Sequence, residues 1–311
     1  MSLSRAASVG KPRRLGLYLP FALLFLLIVA WSVGWLWLRG ETLRRVQDAA
    51  AGLRAHGGQA TWSTLRFGGY PFRLDLDATD LRLADPSGWS VALPSLKSEA
   101  YVFAPTRWLL ATDGGLTFTR PGAPPVQIAA PLLRASVNSW DEHPPRISFV
   151  GDDLVFSGPA GAFPLASAKA VQVYTRAGPD DQGAMLAEVD GGAAAAGTDL
   201  GRLAGGNPVS LRIETIISHA RALQGPDWRS AASAWSWQGG SLGLQRLSFS
   251  AGGTTLDASA GALTFDDQGR LSGWANATLS QGGKTQPAIL VFRQGGALLG
   301  RTKLGPALQV F

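Results

Sequence analysis

The chain contains no cysteine. That absence excludes a disulfide framework, a thiolate metal site, a cysteine nucleophile and a lipid-modified cysteine anchor. Charge is also scarce. Charged residues make up 16% of the 311 residues, against about 25% in ordinary soluble proteins. Histidine occurs three times and methionine twice. With 46% hydrophobic residues, a largely disordered chain is excluded. What is plentiful is glycine (39), proline (19) and tryptophan (11). No collagen period accompanies them, and they suit short strands joined by turns.

The formal charge of +6 does not mark a nucleic-acid face. Residues 1–39 carry Arg5, Lys11, Arg13, Arg14 and Arg39 and no acidic residue. That leaves 23 basic against 22 acidic residues in the remainder. The basicity belongs to a tail that flanks a membrane, and no nucleic-acid partner is expected.

Leu15 to Leu38 is 24 residues without a charge. At 1.5 Å per residue a helix of that length reaches roughly 36 Å, enough for a hydrocarbon core of about 30 Å. Trp31, Trp35 and Trp37 gather at its far end, where indoles favour the interface. Ala30-Trp31-Ser32 resembles a signal-peptidase site, but the apolar run continues past it, and an uncleaved anchor is expected. The acid-free tail orients the N-terminus inward and the bulk of the chain outward. The expected order is a cytoplasmic tail at 1–14, a transmembrane helix at 15–38, an amphipathic helical stalk at 39–57 and a β-rich periplasmic domain at 58–311. Leu43, Val46, Ala50 and Leu53 form the apolar stripe of the stalk, and Gly57-Gly58 stops it; a helix lying on the membrane surface is the alternative.

From Gln59 the hydrophobic period becomes two. Phe72, Leu74 and Leu76 alternate with Arg73, Asp75 and Asp77, and Leu81 and Leu83 follow; this is a half-buried strand. Asp85-Pro86-Ser87-Gly88 turns the chain. Further strands are expected at 89–93, 97–103, 116–119, 126–128, 132–137, 147–156, 168–175, 185–190, 242–250, 254–265, 271–280 and 289–293. Asp180-Asp181-Gln182-Gly183 and Asp266-Asp267-Gln268-Gly269 read as twin turns with glycine in the left-handed region. Asp227 caps a helical interruption between Ile217 and Trp237, ended by Gly239-Gly240. The Gly/Ala-rich run 191–206 is placed as a sub-boundary. The fold class is mainly β: antiparallel, curled or elongated sheet, one N-terminal transmembrane helix and a few short helices.

No catalytic motif withstands its structural requirements. Gly239-Gly240-Ser241-Leu242-Gly243 matches a nucleophile elbow, but helix precedes it and strand follows, the reverse of the requirement. Gly282-Gly283-Lys284-Thr285 resembles the end of a phosphate-binding loop, yet Thr278 stands where its first glycine belongs. His56, His143 and His219 lack ligand spacing. The acidic pairs Asp152-Asp153, Asp180-Asp181 and Asp266-Asp267 read as turns. Core packing is the expected role of Trp62, Trp89, Trp108, Trp140, Trp235, Trp237 and Trp274, with lining an apolar groove or binding sugar rings as the alternative. No catalytic, cofactor-binding or metal-ligating residue is assigned, and no cofactor is expected.

The run Phe67-Gly68-Gly69-Tyr70-Pro71-Phe72-Arg73-Leu74 carries a family resemblance. It is joined by Ala100 to Pro105 with Trp108, by Asn138 with Trp140, by Trp237 to Leu242, by Phe265 to Gly273 and by Leu304-Gly305-Pro306. In these pieces the chain resembles the bacterial family of domain of unknown function 2125. The resemblance implies an envelope protein with one anchor and a β-rich body, and no site residues. More distantly, the plan resembles the AsmA-like inner-membrane proteins, which implies a sheet curled into an apolar groove that handles lipid or assembling membrane proteins. The expected role is an inner-membrane-anchored protein presenting such a groove. The alternatives are a protein-interaction scaffold and a glycan or lipid hydrolase. The expected partners are the inner membrane and either lipid or an envelope protein.

Overall fold

The structure, a computed structural model, describes residues 15–311, with side-chain surroundings from Tyr18 onward; the basic tail 1–14 lies outside the described residues. One helix, α1 (Leu15–Ala55), precedes the sheet. It spans both the expected membrane segment and the expected stalk without a break, and at 1.5 Å per residue it is about 62 Å long. Its two halves differ. Phe21, Leu24, Leu26 and Leu27 are all more than half exposed, and only 6% of its most apolar stretch is buried against protein. Beyond Trp31 the positions Ser32, Trp35, Leu38, Thr42, Val46, Ala50 and Leu53 become half-buried or buried. Their spacing of three and four places them on one face.

The rest is one 18-stranded antiparallel sheet. Its strands are β1 (Gln59–Thr61), β2 (Thr64–Gly68), β3 (Arg73–Ala84), β4 (Ser90–Tyr101), β5 (Ala104–Thr112), β6 (Leu116–Thr119), β7 (Val126–Ala129), β8 (Leu133–Asn138) and β9 (Arg146–Ser157). Then come β10 (Leu165–Ala177), β11 (Gly183–Ala194), β12 (Val209–Ile217), β13 (Leu242–Ala251), β14 (Thr254–Phe265), β15 (Leu271–Gln281), β16 (Lys284–Arg293), β17 (Gly296–Leu299) and β18 (Thr302–Pro306). The short pieces are collinear. Strands β1 and β2 lie end to end along β3, β5 and β6 along β4, and β7 and β8 along β9. Joined in this way, the strands make fifteen ribbons, each paired with its predecessor in the chain. Among the described residues no pairing joins β18 back to β1 or β2, so the sheet is an open meander.

The expected strands are present, with those at 89–93 and 97–103 fused into the single strand β4, and the structure adds β1, β2, β5, β12, β17 and β18. The run 191–206 holds a register shift and the short helix α2 (Asp199–Ala204), capped by Thr198. The sheet continues across it, with β11 paired to β12. Helix α3 (Trp228–Trp237) follows a short 3-10 turn, and the Asp227 side chain accepts from the Ser230 amide.

A crease crosses the first eight ribbons. Register places Ser63, Asp80, Pro94, Gly114, Pro131, Asp153, Lys169 and Gly191 side by side from strand to strand. Asp80, Asp153 and Gly191 hold φ of 50°, 50° and 57°, as does Gly115 at 67°. The inward parity changes at this line: Leu74 and Ala78 are buried below it in β3 and Leu81 above it, while Gly151 and Leu154 flank it in β9. Each half of a strand thereby keeps its apolar side on the same face. Asp153, read in the sequence as a turn residue, sits within β9 at this crease. Aspartate tolerates the left-handed region, whereas a β-branched residue there costs roughly 1–2 kcal/mol. Asp153→Val is expected to lower the unfolding free energy by about that amount, and Asp153→Gly to leave it nearly unchanged. Equal losses in a denaturant titration would show that the side chain, not the backbone conformation, matters.

The twin turns also differ from expectation. Gly269 is left-handed (φ 68°), and Asp266 accepts from the backbone of Gln268 and Arg270. In the other turn Asp180 and Asp181 take the positive φ. Gly183 is required for space instead: a Cβ there would stand 2.4 Å from Pro144 Cδ.

The turn before β4 reaches across to α3 and to the segment after β18, which itself lies along β15. The Trp89 indole donates to the Val310 carbonyl at 2.6 Å, and the Trp228 amide donates to Asp85 at 3.1 Å. Val310 and Phe311 are buried against Ala232, with Trp89 and Phe265 packed beside them. The turn between β3 and β4 is thereby tied to α3 and to the last residues.

Candidate functional site

Register assigns every strand residue to one of two faces. One row runs Phe67, Leu76, Ser98, Leu110, Ala135, Phe149 and Val173, each paired with the next across the ladder. It continues through Ala187, Ile213, Leu247, Ala258, Ala277 and Ala288. Twelve of these thirteen residues are apolar. At about 4.8 Å per strand the row is roughly 58 Å long.

The adjacent row, one residue along each strand, points the other way. It reads Arg66, Asp77, Lys97, Ala111, Arg134, Val150 and Gln172, then Glu188, Arg212, Ser248, Asp257, Thr278 and Pro287. Seven of those thirteen are charged, and they join cross-strand ion pairs: Lys97–Asp113 at 3.1 Å, Arg134–Asp152 at 3.3 Å and Arg212–Glu188 at 3.3 Å. Hydrogen bonds from Lys97 and Ser95 hold the Asp113 carboxyl below its ordinary range, and Arg212 does the same for Glu214. This face is built for water.

The apolar face is only partly covered. From Leu76 to Leu247 its apolar members are half-buried, neither sealed nor free, while Ala258 and Ala277 are buried in a cluster with Leu244, Leu256, Ala275, Leu290 and Leu299. A hollow of about 220 Å³ lies between Val126, Phe156, Phe163 and Leu165, with no ionisable side chain in its lining.

The second element of the site is the junction with α1. The turn Gly69–Phe72 between β2 and β3 docks on the helix. Trp31 donates to the Pro71 carbonyl at 2.9 Å, Trp35 to the Arg73 carbonyl at 2.8 Å, and Ser32 shares a hydrogen bond with the Tyr70 hydroxyl at 2.9 Å. Trp35 meets Tyr70 edge-on at 5.4 Å, and Trp31 lies 6.1 Å from Phe72. Farther along, Arg39 stands over the Phe67 ring and Arg54 donates twice to the Ala60 carbonyl. The Gly-Tyr-Pro-Phe run is thus the surface that fastens sheet to helix.

The remaining sequence motifs are structural in place. Ser241 follows α3 and precedes β13, and its hydroxyl pairs with that of Ser218 at 3.0 Å. Gly282-Gly283 forms the tight turn between β15 and β16, both with positive φ. The histidines lie apart in the chain fold: His56 is in the turn after α1, His143 is in the loop before β9, and His219 precedes the 3-10 turn. Among the described residues no three or more His, Asp or Glu side chains gather as a cation cage. Of the seven tryptophans assigned to packing, Trp235 is fully buried, whereas Trp140, Trp237 and Trp274 are 56%, 84% and 50% exposed.

The description of an uncharacterized protein family conserved in bacteria, DUF2125, matches residues 35–289. The match covers most of the chain, including the docking turn and every residue of the apolar row, and the chain belongs to that family. No curated protein and no solved structure matches it.

Proposed function

We propose that this DUF2125 family member is a single-pass inner-membrane protein whose sheet stands on the periplasmic side and holds the acyl chains of lipid along its apolar face. The observation that carries the reading is the apolar row, interrupted only by Ser98, half-buried over most of its length and opposed by a charged row. A soluble sheet packed as a closed core would bury such a face. A ligand of matching chemistry gains from covering it: an acyl chain that removes roughly 300 Å² of apolar surface from water contributes about 7 kcal/mol before its ordering cost. The long apolar helix and the acid-free tail before it support the membrane assignment and its orientation.

A photoreactive amino acid placed at Val173 or Ile213 in cells is expected to yield phospholipid adducts. The same residue at Gln172 or Arg212, on the opposite face of the same strands, is expected to yield none. Adducts from neither face would sink the proposal. A single stoichiometric protein adduct from the apolar face would replace it with the scaffold reading.

A further inference from the structure

We infer that the aromatic turns at the α1 end of the sheet are a membrane seat, inserted at the headgroup–acyl boundary of the bilayer that α1 crosses. The inference rests on the membrane reading of α1 given above. Two turns share this end. The first carries Tyr70 and Phe72, 52% and 60% exposed; the second, between β4 and β5, carries Tyr101 and Phe103, 48% and 74% exposed. The Val102 amide donates to the Phe72 carbonyl at 3.0 Å, so the two turns form one rim. Tyr101 and Phe103 stack on each other at 5.1 Å, which leaves their outer faces bare. Four exposed aromatics on adjacent turns are costly in water, and α1 touches only one side of Tyr70 and Phe72, leaving all four about half or more exposed.

Height fixes the occupant. From Leu15 a hydrocarbon core of about 30 Å takes about 20 residues of helix, which ends near Trp35. The first turn is hydrogen-bonded to α1 at Trp31, Ser32 and Trp35. Phe72, in contact with Trp31, is therefore held at the boundary itself. Tyrosine and tryptophan belong there, where an apolar ring meets a wet polar tip. A protein partner would have to displace lipid headgroups to reach this rim, whereas the outer leaflet already lies against it. The seat also sets the apolar row next to the bilayer, because the row begins at Phe67 and Leu76, on either side of the docking turn.

The chain has no cysteine, so one introduced thiol labels one site. Full-length Leu24→Cys, Phe103→Cys and Gly253→Cys variants, each bearing an environment-sensitive dye, would be placed in phosphatidylcholine–phosphatidylglycerol vesicles with bromines either near the headgroup or deep in the acyl chain. The Leu24 label is expected to lose emission to deep bromines, the Phe103 label to shallow ones, and the Gly253 label, on the turn between β13 and β14, to neither. Leu24 quenched with Phe103 as dark to bromine as Gly253 would overturn the seat and leave the membrane reading standing. An unquenched Leu24 would overturn both. Phe103→Ser, labelled at Tyr101→Cys, separates insertion from dye effects: loss of the shallow quenching is expected, and its persistence would count against the ring as the inserted group.

Discussion

Trp235→Ala is expected to lower the unfolding free energy by roughly 3–5 kcal/mol, the cost of deleting a large buried ring. Its side chain has no solvent exposure, its indole nitrogen donates to the Ser218 carbonyl at 2.7 Å, and its ring packs 5.6 Å from Phe265. For a total stability of about 5–15 kcal/mol this is a large share. Thermal unfolding followed by circular dichroism would show a fall in Tm on the order of 10 °C. The same ring explains the glycine before Ser241. A Cβ on Gly240 would stand 2.3 Å from the indole, so Gly240→Ala should cost about 1–3 kcal/mol by overpacking. Ser241→Ala should cost only about 1 kcal/mol, one hydroxyl hydrogen bond. A nucleophile elbow would show the opposite order in function, with the serine indispensable. Ser241→Ala leaving cells unimpaired while Gly240→Ala depletes the protein would settle the motif as packing.

A carboxylate placed in the apolar row is expected to abolish lipid capture. In Ile213→Asp the charge would lie between Ala187 and Leu247, with an acyl chain unable to solvate it. Desolvation of an unpaired charge against an apolar ligand costs several kcal/mol, and each 1.4 kcal/mol is tenfold in affinity. Phospholipid adducts from a photoreactive group at Val173 should therefore fall by at least tenfold. Gln172→Asp, on the charged row, should leave them unchanged. Because an aspartate at position 213 also weakens the sheet, Ile213→Ser serves as a milder variant, and unfolding midpoints would be compared alongside. Equal adduct yields from Ile213→Asp and the parent chain would remove the row from any role in binding.

The sheet was legible because its strands alternate in the sequence. Leu74, Leu76 and Ala78 against Arg73, Asp75 and Asp77 announce both a strand and its inward face. The docked half of α1 was legible for the same reason, through Val46, Ala50 and Leu53 at helical spacing. Strands β5 and β18 were not, since Pro105 and Pro306 sit in them and prolines demote a run. β17 is only four residues long. Strand β12 alternates plainly but is cut off from its neighbours in sequence by the Gly/Ala run. The site was less accessible still. The apolar row depends on register, which one residue of slip would reverse, and no local pattern states the register of Ile213 against Leu247. The meeting of Tyr70 with Trp35 joins residues 35 positions apart, and only the unusual Gly-Tyr-Pro-Phe spelling hinted at it. The crease could not be read at all: Asp80 and Asp153 look like turn residues, and their alignment appears only when eight ribbons are laid side by side.

The tie between Trp89 and Val310 separates the chain's most local feature from its least local one. Every ribbon finds its partner in the ribbon just completed, so loop closure is inexpensive at each step and the ladder can grow outward from α1 as the polypeptide arrives. The clasp closes a span of 221 positions and must wait for Val310. Synthesis order and assembly order therefore coincide through β18, after which one indole hydrogen bond and the burial of Phe311 fasten the turn before β4 to the segment that follows the sheet.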